Sequence, residues 1–329
     1  MSTDSPAPAP RPLPGPPVRR APPPALRGAA PAAGAAAPAR GKLRLADATS
    51  GLVREMLSLL VYGVEGVGKT SLAAGAPRPL LIGAENGSAE IGLVRRVSPA
   101  TFEDVLGVLE DLRTEAHDYQ SVVLDSLDWL EPLVWAATCA RGGKATIEAF
   151  GYGKGYVEAL TEWRMVIKAL EGARVKGLNV ILVAHSVCKL WKNPDANQGD
   201  YDRYSLKLHE KAAGLWKEWA KAVLFANFER ATVEVDNRFK GLDTGRRLLH
   251  TRMAAAFDAK NRLWLPPEIP LGWEPLRRAI EAGEKLRERY YAALAKVDEA
   301  TRASAQEHVE QSNYDPAVIE QVIAGLTNP

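Results

Sequence analysis

Cysteine is nearly absent: Cys139 and Cys188 stand far apart, with no CxxC pair and no cluster of histidines beside either. That spacing excludes a zinc ribbon or finger and a disulfide framework, and it fits a reducing compartment. Net charge is also small, +2 over 329 residues, so any surface for nucleic acid has to be local rather than a property of the whole chain. No apolar run reaches the ~20 residues needed to cross a bilayer. The opening stretch MSTDSPAPAPRPLPGPP holds too much proline for the apolar core of a signal peptide. These absences lead to the expectation of a soluble, cytoplasmic protein with no membrane partner.

What is present falls into three parts. Residues 1–41 are almost entirely Pro, Ala, Gly and Arg, with about half of the 23 prolines. A segment of that composition cannot bury enough apolar surface to offset chain ordering, so a disordered, partly polyproline arm is expected. Arg11, Arg19, Arg20, Arg27 and Arg40 make it positive, which suits a plain tail or a weak tether to nucleic acid or a partner. Residues 42–270 alternate short apolar runs with helical segments. The runs at 56–63, 79–84, 121–126, 179–186 and 222–229 are dense in Val, Leu and Ile without clean alternation, as in strands buried on both faces. The expected fold class is therefore α/β, a mostly parallel sheet flanked by helices. Stretches 232–239 and 246–253 read as a further antiparallel hairpin turning at GLDTG. Residues 271–329 read as a small helical extension, its last helix opening with an Asp N-cap and a Pro at the first helical position.

GVEGVGKT, Gly63 to Thr70, fits GxxxxGK[ST] between an apolar strand and a helix. Gly63, Val64, Glu65, Gly66, Val67 and Gly68 form a loop whose N–H groups can curl around phosphate oxygens. Lys69 reaches the β- and γ-phosphates, Thr70 offers a hydroxyl to Mg2+, and Ser71 continues the first turn of the helix. SVVLDS ends a buried strand in Asp125, the arrangement that holds the metal through water. ATP and Mg2+ are thus the expected ligands. Hydrolysis also needs a group to orient water. Asp128 and Glu131 follow Asp125 but start a helix, so Glu85, at the end of the strand after the first helix, is the better candidate. His185 closes another buried strand on the same edge and reads either as a sensor of the γ-phosphate or as a structural histidine.

Two segments leave that edge with cations and aromatics interleaved, the pattern a single strand wants: charge for phosphate, rings for stacking. One is 141–156, with Lys144, Tyr152 and Lys154. The other is 186–207, with Lys189, Trp191, Lys192 and Arg203. Rings in such loops also pack on neighbouring subunits, and the second segment carries three aspartates, so both readings stand.

The stretches YGVEGVGKTSLA, LLIGAENG, VVLDSLDWLE, FGYGKGY, DRYSLKLHEKAAGLWKEWAKAVLFANFE and FDAKNRLWLPPEI together resemble the RecA-like P-loop (AAA) ATPases. They resemble more closely the phage ATP-binding proteins related to single-strand-annealing recombinases of the Sak-four type, over about residues 55–270. The resemblance implies an oligomeric ATPase that binds single-stranded DNA in phage recombination or repair, in a bacterial host cell, with a single-strand-binding protein as a conceivable partner of its tail. It places Glu85 on the catalytic glutamate and His185 on a polar sensor. It also places Lys260 and Arg262, which by position alone read as a solvated strand edge, on cations that enter the next subunit's site. The family carries an acidic residue two positions before the glutamate, where this chain has Gly83. A replicative helicase or helicase loader shares the core, and a nucleotide-gated binding module without turnover is the reading from another class.

Overall fold

The computed structural model describes residues 55–83, 92, 94–193, 199–235 and 238–327. The arm 1–41 and Glu85 lie outside the described residues.

The apolar runs form strands where expected. β1 (Ser58–Gly63) is central, with β2 (Pro79–Ile82), a short β3 (Arg95–Val97), β4 (Ser121–Asp125), β5 (Asn179–Trp191), β6 (Tyr201–Leu206), β7 (Ala222–Val235), β8 (Arg238–His250), β9 (Lys260–Asn261) and β10 (Glu268–Pro270). Their order across the sheet is β10-β8-β7-β1-β5-β4-β2-β3. From β3 to β7 the pairings are parallel, and β8 and β10 add an antiparallel edge. β5 outruns its parallel neighbours, and its second half pairs antiparallel with β6 as a projecting hairpin.

Strands without polar alternation need cover on both faces, and they have it. Leu60, Tyr62, Val122 and Leu182 point into one apolar cluster. It is covered by α2 (Phe102–Thr114), α3 (Leu127–Gly142), α5 (Leu160–Val175) and α6 (Glu210–Trp219). Leu59, Val61, Val123 and Ile181 point into the other, beneath α1 (Lys69–Ala74) and the first half of α7 (Trp273–Leu294). Each such side chain, taken from water, contributes about 2 kcal/mol. Helix α2 shows why a helix starts where it does: Thr101 and Asp104 cap each other's backbone N–H groups at 3.1 and 3.0 Å. A short α4 (Lys154–Glu158) sits in the segment after α3.

The C-terminal helices appear as the sequence suggests, with α8 (Glu299–Gln311) and α9 (Pro316–Thr327) following α7. Asp315 caps α9 by accepting from Ala317 N at 2.8 Å. Their own small core centres on Trp264, Leu286, Tyr290, Val309 and Ile319.

The hairpin differs from expectation. β7 and β8 pair from Phe225↔His250 to Val235↔Arg238, so the chain reverses between Val235 and Arg238, not at GLDTG. The register jumps from Phe228↔Arg247 to Arg230↔Asp243, which leaves residues 244–246 opposite Glu229 alone. The turn chemistry of the motif serves this bulge: Gly245 takes φ 73°, and the Thr244 hydroxyl donates to the Glu229 carboxylate at 2.7 Å.

Candidate nucleotide site and the loops beside it

The loop between β1 and α1 is shaped by its glycines. Gly66 and Gly68 take φ 71° and 104°, in the left-handed region that side-chain-bearing residues resist. Lys69 is 5% exposed, and its amine folds back to donate to the carbonyls of Gly63 at 3.1 Å and Val64 at 2.9 Å. Thr70 is half-buried and Ser71 exposed on the first turn of α1, Val67 is buried beneath the loop, and Glu65 faces solvent.

Asp125 ends β4 at 4% exposure, and the peptide that follows it is cis. One strand separates it from the loop: the register sets Asp125 beside Val183, and His185 beside Gly63. Loop and carboxylate therefore share the carboxyl edge of the sheet, about 10 Å apart in strand spacing. Backbone N–H groups, an amine, a hydroxyl and a carboxylate converge there. These are the donors a magnesium–nucleoside triphosphate takes, so the residues fit that ligand.

Gly83 has a physical cause. A Cβ built on it would stand 1.8 Å from the carbonyl oxygen of Asp125. The end of β2 lies so close to the tip of β4 that an acidic side chain at 83 would displace β4.

Asp128 and Glu131 do lie in helix α3, yet each has a task. The Asp128 carboxylate accepts from His185 N at 2.9 Å and meets His185 Nδ1 at 2.8 Å. Burial works against its charge, and the His185 hydrogen bonds outweigh it, so its pKa lies below the ordinary value. Glu131 is buried and accepts from His209 N at 2.9 Å. Burial pushes its pKa up to about 7.

The two cation–aromatic segments meet at this point. Tyr156, from the first, stacks on His209, which caps α6, with ring centroids 3.9 Å apart and planes within 7°. Lys189, from the second, acts electrostatically on both Glu131 and His209. Lys144, Tyr152 and Lys154 are exposed on the first segment, as are Lys189, Trp191 and Lys192 on the second. Arg203 is the exception and corrects the sequence reading. It is 7% exposed and donates to Asp258 Oδ1 at 2.6 Å and Phe257 O at 3.3 Å. The ring of Trp191 lies 4.7 Å from its guanidinium. That guanidinium is held on the inner side of its own hairpin strand by Asp258 and Phe257, not presented to solvent for DNA.

Lys260 and Arg262 are near enough for Arg262 to act on the Lys260 amine, whose pKa burial lowers first and Arg262 second. That amine is already engaged, donating to the carbonyls of Lys217 at 2.9 Å and Glu218 at 2.7 Å at the end of α6. Arg262 is exposed and lines a 270 Å³ cavity with Glu55, Lys221, Glu284 and Arg287.

A cation that the sequence did not single out stands at the loop itself. Arg247, on β8, donates from Nη1 to the carbonyl of Val67 at 3.2 Å. No motif marks it; only the hairpin's register brings it there.

A family model described as an AAA domain matches residues 55–263. Among solved structures, the chain is similar to the crystal structure of the RadB recombinase. The two are 17% identical with a TM-score of 0.33, over 60% of this chain and 80% of that one. No curated protein matches the sequence. Among the described residues, no helix is long and apolar enough to cross a membrane.

Proposed function

We propose, because this chain belongs to the AAA-domain family, that it is an ATPase which uses ATP and Mg2+ to act on single-stranded DNA. The family and the phosphate loop make it a P-loop NTPase. The finer reading is a RecA-like ATPase of phage recombination or repair that promotes annealing or strand exchange as a homo-oligomer, and works beside a single-strand-binding protein.

One juxtaposition carries this reading. The phosphate loop and Asp125 share the carboxyl edge of one sheet, from which the β5–β6 hairpin with exposed Lys189, Trp191 and Lys192 projects. The segment bearing exposed Lys144, Tyr152 and Lys154 joins that region through Tyr156, stacked on His209. In this reading Gly63 to Gly68 cradle the phosphates, Lys69 neutralises them, and Thr70 and Asp125 hold the magnesium. The metal, when bound, draws charge from the terminal phosphate. Glu85 orients water. The Asp128-held imidazole of His185 stands beside Gly63, where the state of the phosphate can be passed along β5 to the hairpin that carries Lys189 and Trp191.

The test is phosphate release with magnesium, with and without single-stranded DNA, for wild type, Lys69→Ala and Glu85→Gln. DNA-stimulated release that both substitutions abolish is expected. Turnover indifferent to DNA and to both substitutions sinks the reading. ATP-driven unwinding of duplex in place of annealing would reassign the protein to the helicases.

A further inference from the structure

The register of the edge hairpin places a charge where the phosphate loop needs one. Gly63 pairs with Ala226, which pairs with Leu249. Arg247 therefore stands two residues further out along β8, beyond the carboxyl edge of β1 and level with the loop. Its Nη1 donates to Val67 O at 3.2 Å, and it lies 2.8 Å from where a Cβ on Gly68 would be.

The chemistry of one peptide unit gives that contact a consequence. The Val67–Gly68 peptide is trans, so its C=O and N–H point in opposite directions. A guanidinium that holds the carbonyl on one side turns the Gly68 N–H to the other. The same hydrogen bond polarises that N–H and strengthens it as a donor to an anion. Gly68 is free to adopt the required φ of 104° because it has no Cβ, so nothing in the glycine itself fixes the plane of this peptide. Nor does a neutral donor on the loop supply that hydrogen bond; it comes from a strand 180 residues further along the chain.

We propose that Arg247 is a positioning residue of the nucleotide site, one that orients the Gly68 N–H toward the bound phosphates and adds a positive charge in cis. The proposal rests on the reading of the site as a nucleotide site. It assigns a cation of the same subunit to the loop, separate from any cation that a neighbouring subunit lends.

The experiment is binding of fluorescent ATP and fluorescent ADP, each with magnesium, to the full chain and to Arg247→Ala, Arg247→Lys and Arg247→Met, with thermal unfolding of each. Arg247→Ala and Arg247→Met should weaken both nucleotides about tenfold at an unchanged unfolding temperature, the effect of one charge-assisted hydrogen bond. Arg247→Lys, which keeps a charged donor, should recover most of the loss. If the alanine variant does not fold, the lysine-to-methionine comparison carries the test. Binding unchanged in the alanine and methionine variants overturns the proposal. So does a loss shared by all three variants together with a lowered unfolding temperature, which would assign Arg247 to packing. A wild type that binds neither nucleotide, and is indifferent to Lys69→Ala, fails the underlying reading instead.

Discussion

Asp128 holds His185 at two points: one carboxylate oxygen accepts from the backbone N–H at 2.9 Å, and the other meets ring Nδ1 at 2.8 Å. A carboxylate only accepts, so Nδ1 carries a proton, and in the neutral form of the ring Nε2 is then the acceptor nitrogen. The residue one turn from the metal-side strand thus sets the tautomer of the histidine beside the phosphate loop. Asp128→Ala removes the carboxylate that holds the half-buried His185 at two points and should cost about 2–3 kcal/mol in denaturant unfolding. Asp128→Asn keeps an acceptor for the backbone and offers an NH2 to the ring, so it should cost about 1 kcal/mol and flip the tautomer. Nitrogen shifts of the imidazole read the flip directly. An unchanged tautomer in the asparagine variant would remove Asp128 from this role.

Glu131 links stability to pH. Its pKa in the folded chain is about 7, raised by burial from an ordinary 4.5. The folded state therefore keeps a proton that the unfolded state releases, and the stability this contributes is fully present below about pH 4.5 and lost as pH rises through about 7. Glu131→Gln cannot ionise yet still accepts from His209 N. It should unfold like wild type near pH 5 and be more stable by about 2 kcal/mol near pH 8. A variant with the same pH profile as wild type would show that Glu131 is charged in the fold.

Arg203 and the lysines of its hairpin should separate cleanly. Arg203→Ala removes a buried cation from Asp258 and the support beneath Trp191, leaving the Asp258 carboxylate to Lys217, at 2.8 Å. A loss of about 2–4 kcal/mol in stability is expected. Lys192→Ala and Lys189→Ala should leave stability within about 0.5 kcal/mol. Each should weaken single-stranded DNA binding and reduce the dependence of log affinity on log salt by about 0.7. An Arg203→Ala variant as stable as wild type, with DNA affinity reduced, would restore Arg203 to the DNA surface.

These residues show which parts of the molecule are legible in the sequence. The phosphate loop, Asp125 and the parallel strands are written locally, in glycine spacing and in apolar runs that need cover on both faces. Arg203 has the same local signature as Lys189 and Lys192, a cation among aromatics; what separates them is Asp258, 55 residues away, and the side of a strand it faces. GLDTG carries real turn chemistry, but a bulge opposite Glu229 uses it, and no local signal distinguishes a bulge from a reversal. Arg247 depends on the same hairpin register, which no local signal carries. At 83 the sequence shows only the absence of the family's acid; the cause, the carbonyl of Asp125 1.8 Å from where a Cβ would stand, lies in another strand.

Lys260 and Arg262 give the sharpest division of roles within one short stretch. Lys260 pairs with Val223 and so is level with Leu60, three residues down the sheet from Gly63. Two strands across and three residues down put it about 14 Å from the loop, and the amine is bound to the last carbonyls of α6. Asn261 organises the turn that follows: its side chain accepts from Leu263 N and Leu265 N and donates to Leu265 O. Arg262 is left exposed at the head of that turn. If these cations serve a nucleotide, it is a neighbouring subunit's, and Arg262 is the one presented. Lys260→Ala should lower stability by about 1 kcal/mol through the uncapped helix end. Arg262→Ala should unfold as wild type and bind ATP as wild type, yet lose DNA-stimulated phosphate release. The decisive measurement mixes two inactive chains, Arg262→Ala and Lys69→Ala. A mixed oligomer holds some interfaces that pair an intact phosphate loop with an intact Arg262, so part of the turnover should return. If the mixture stays as inactive as its components, or Arg262→Ala alone is fully active, Arg262 is a solvated edge of the strand and no finger.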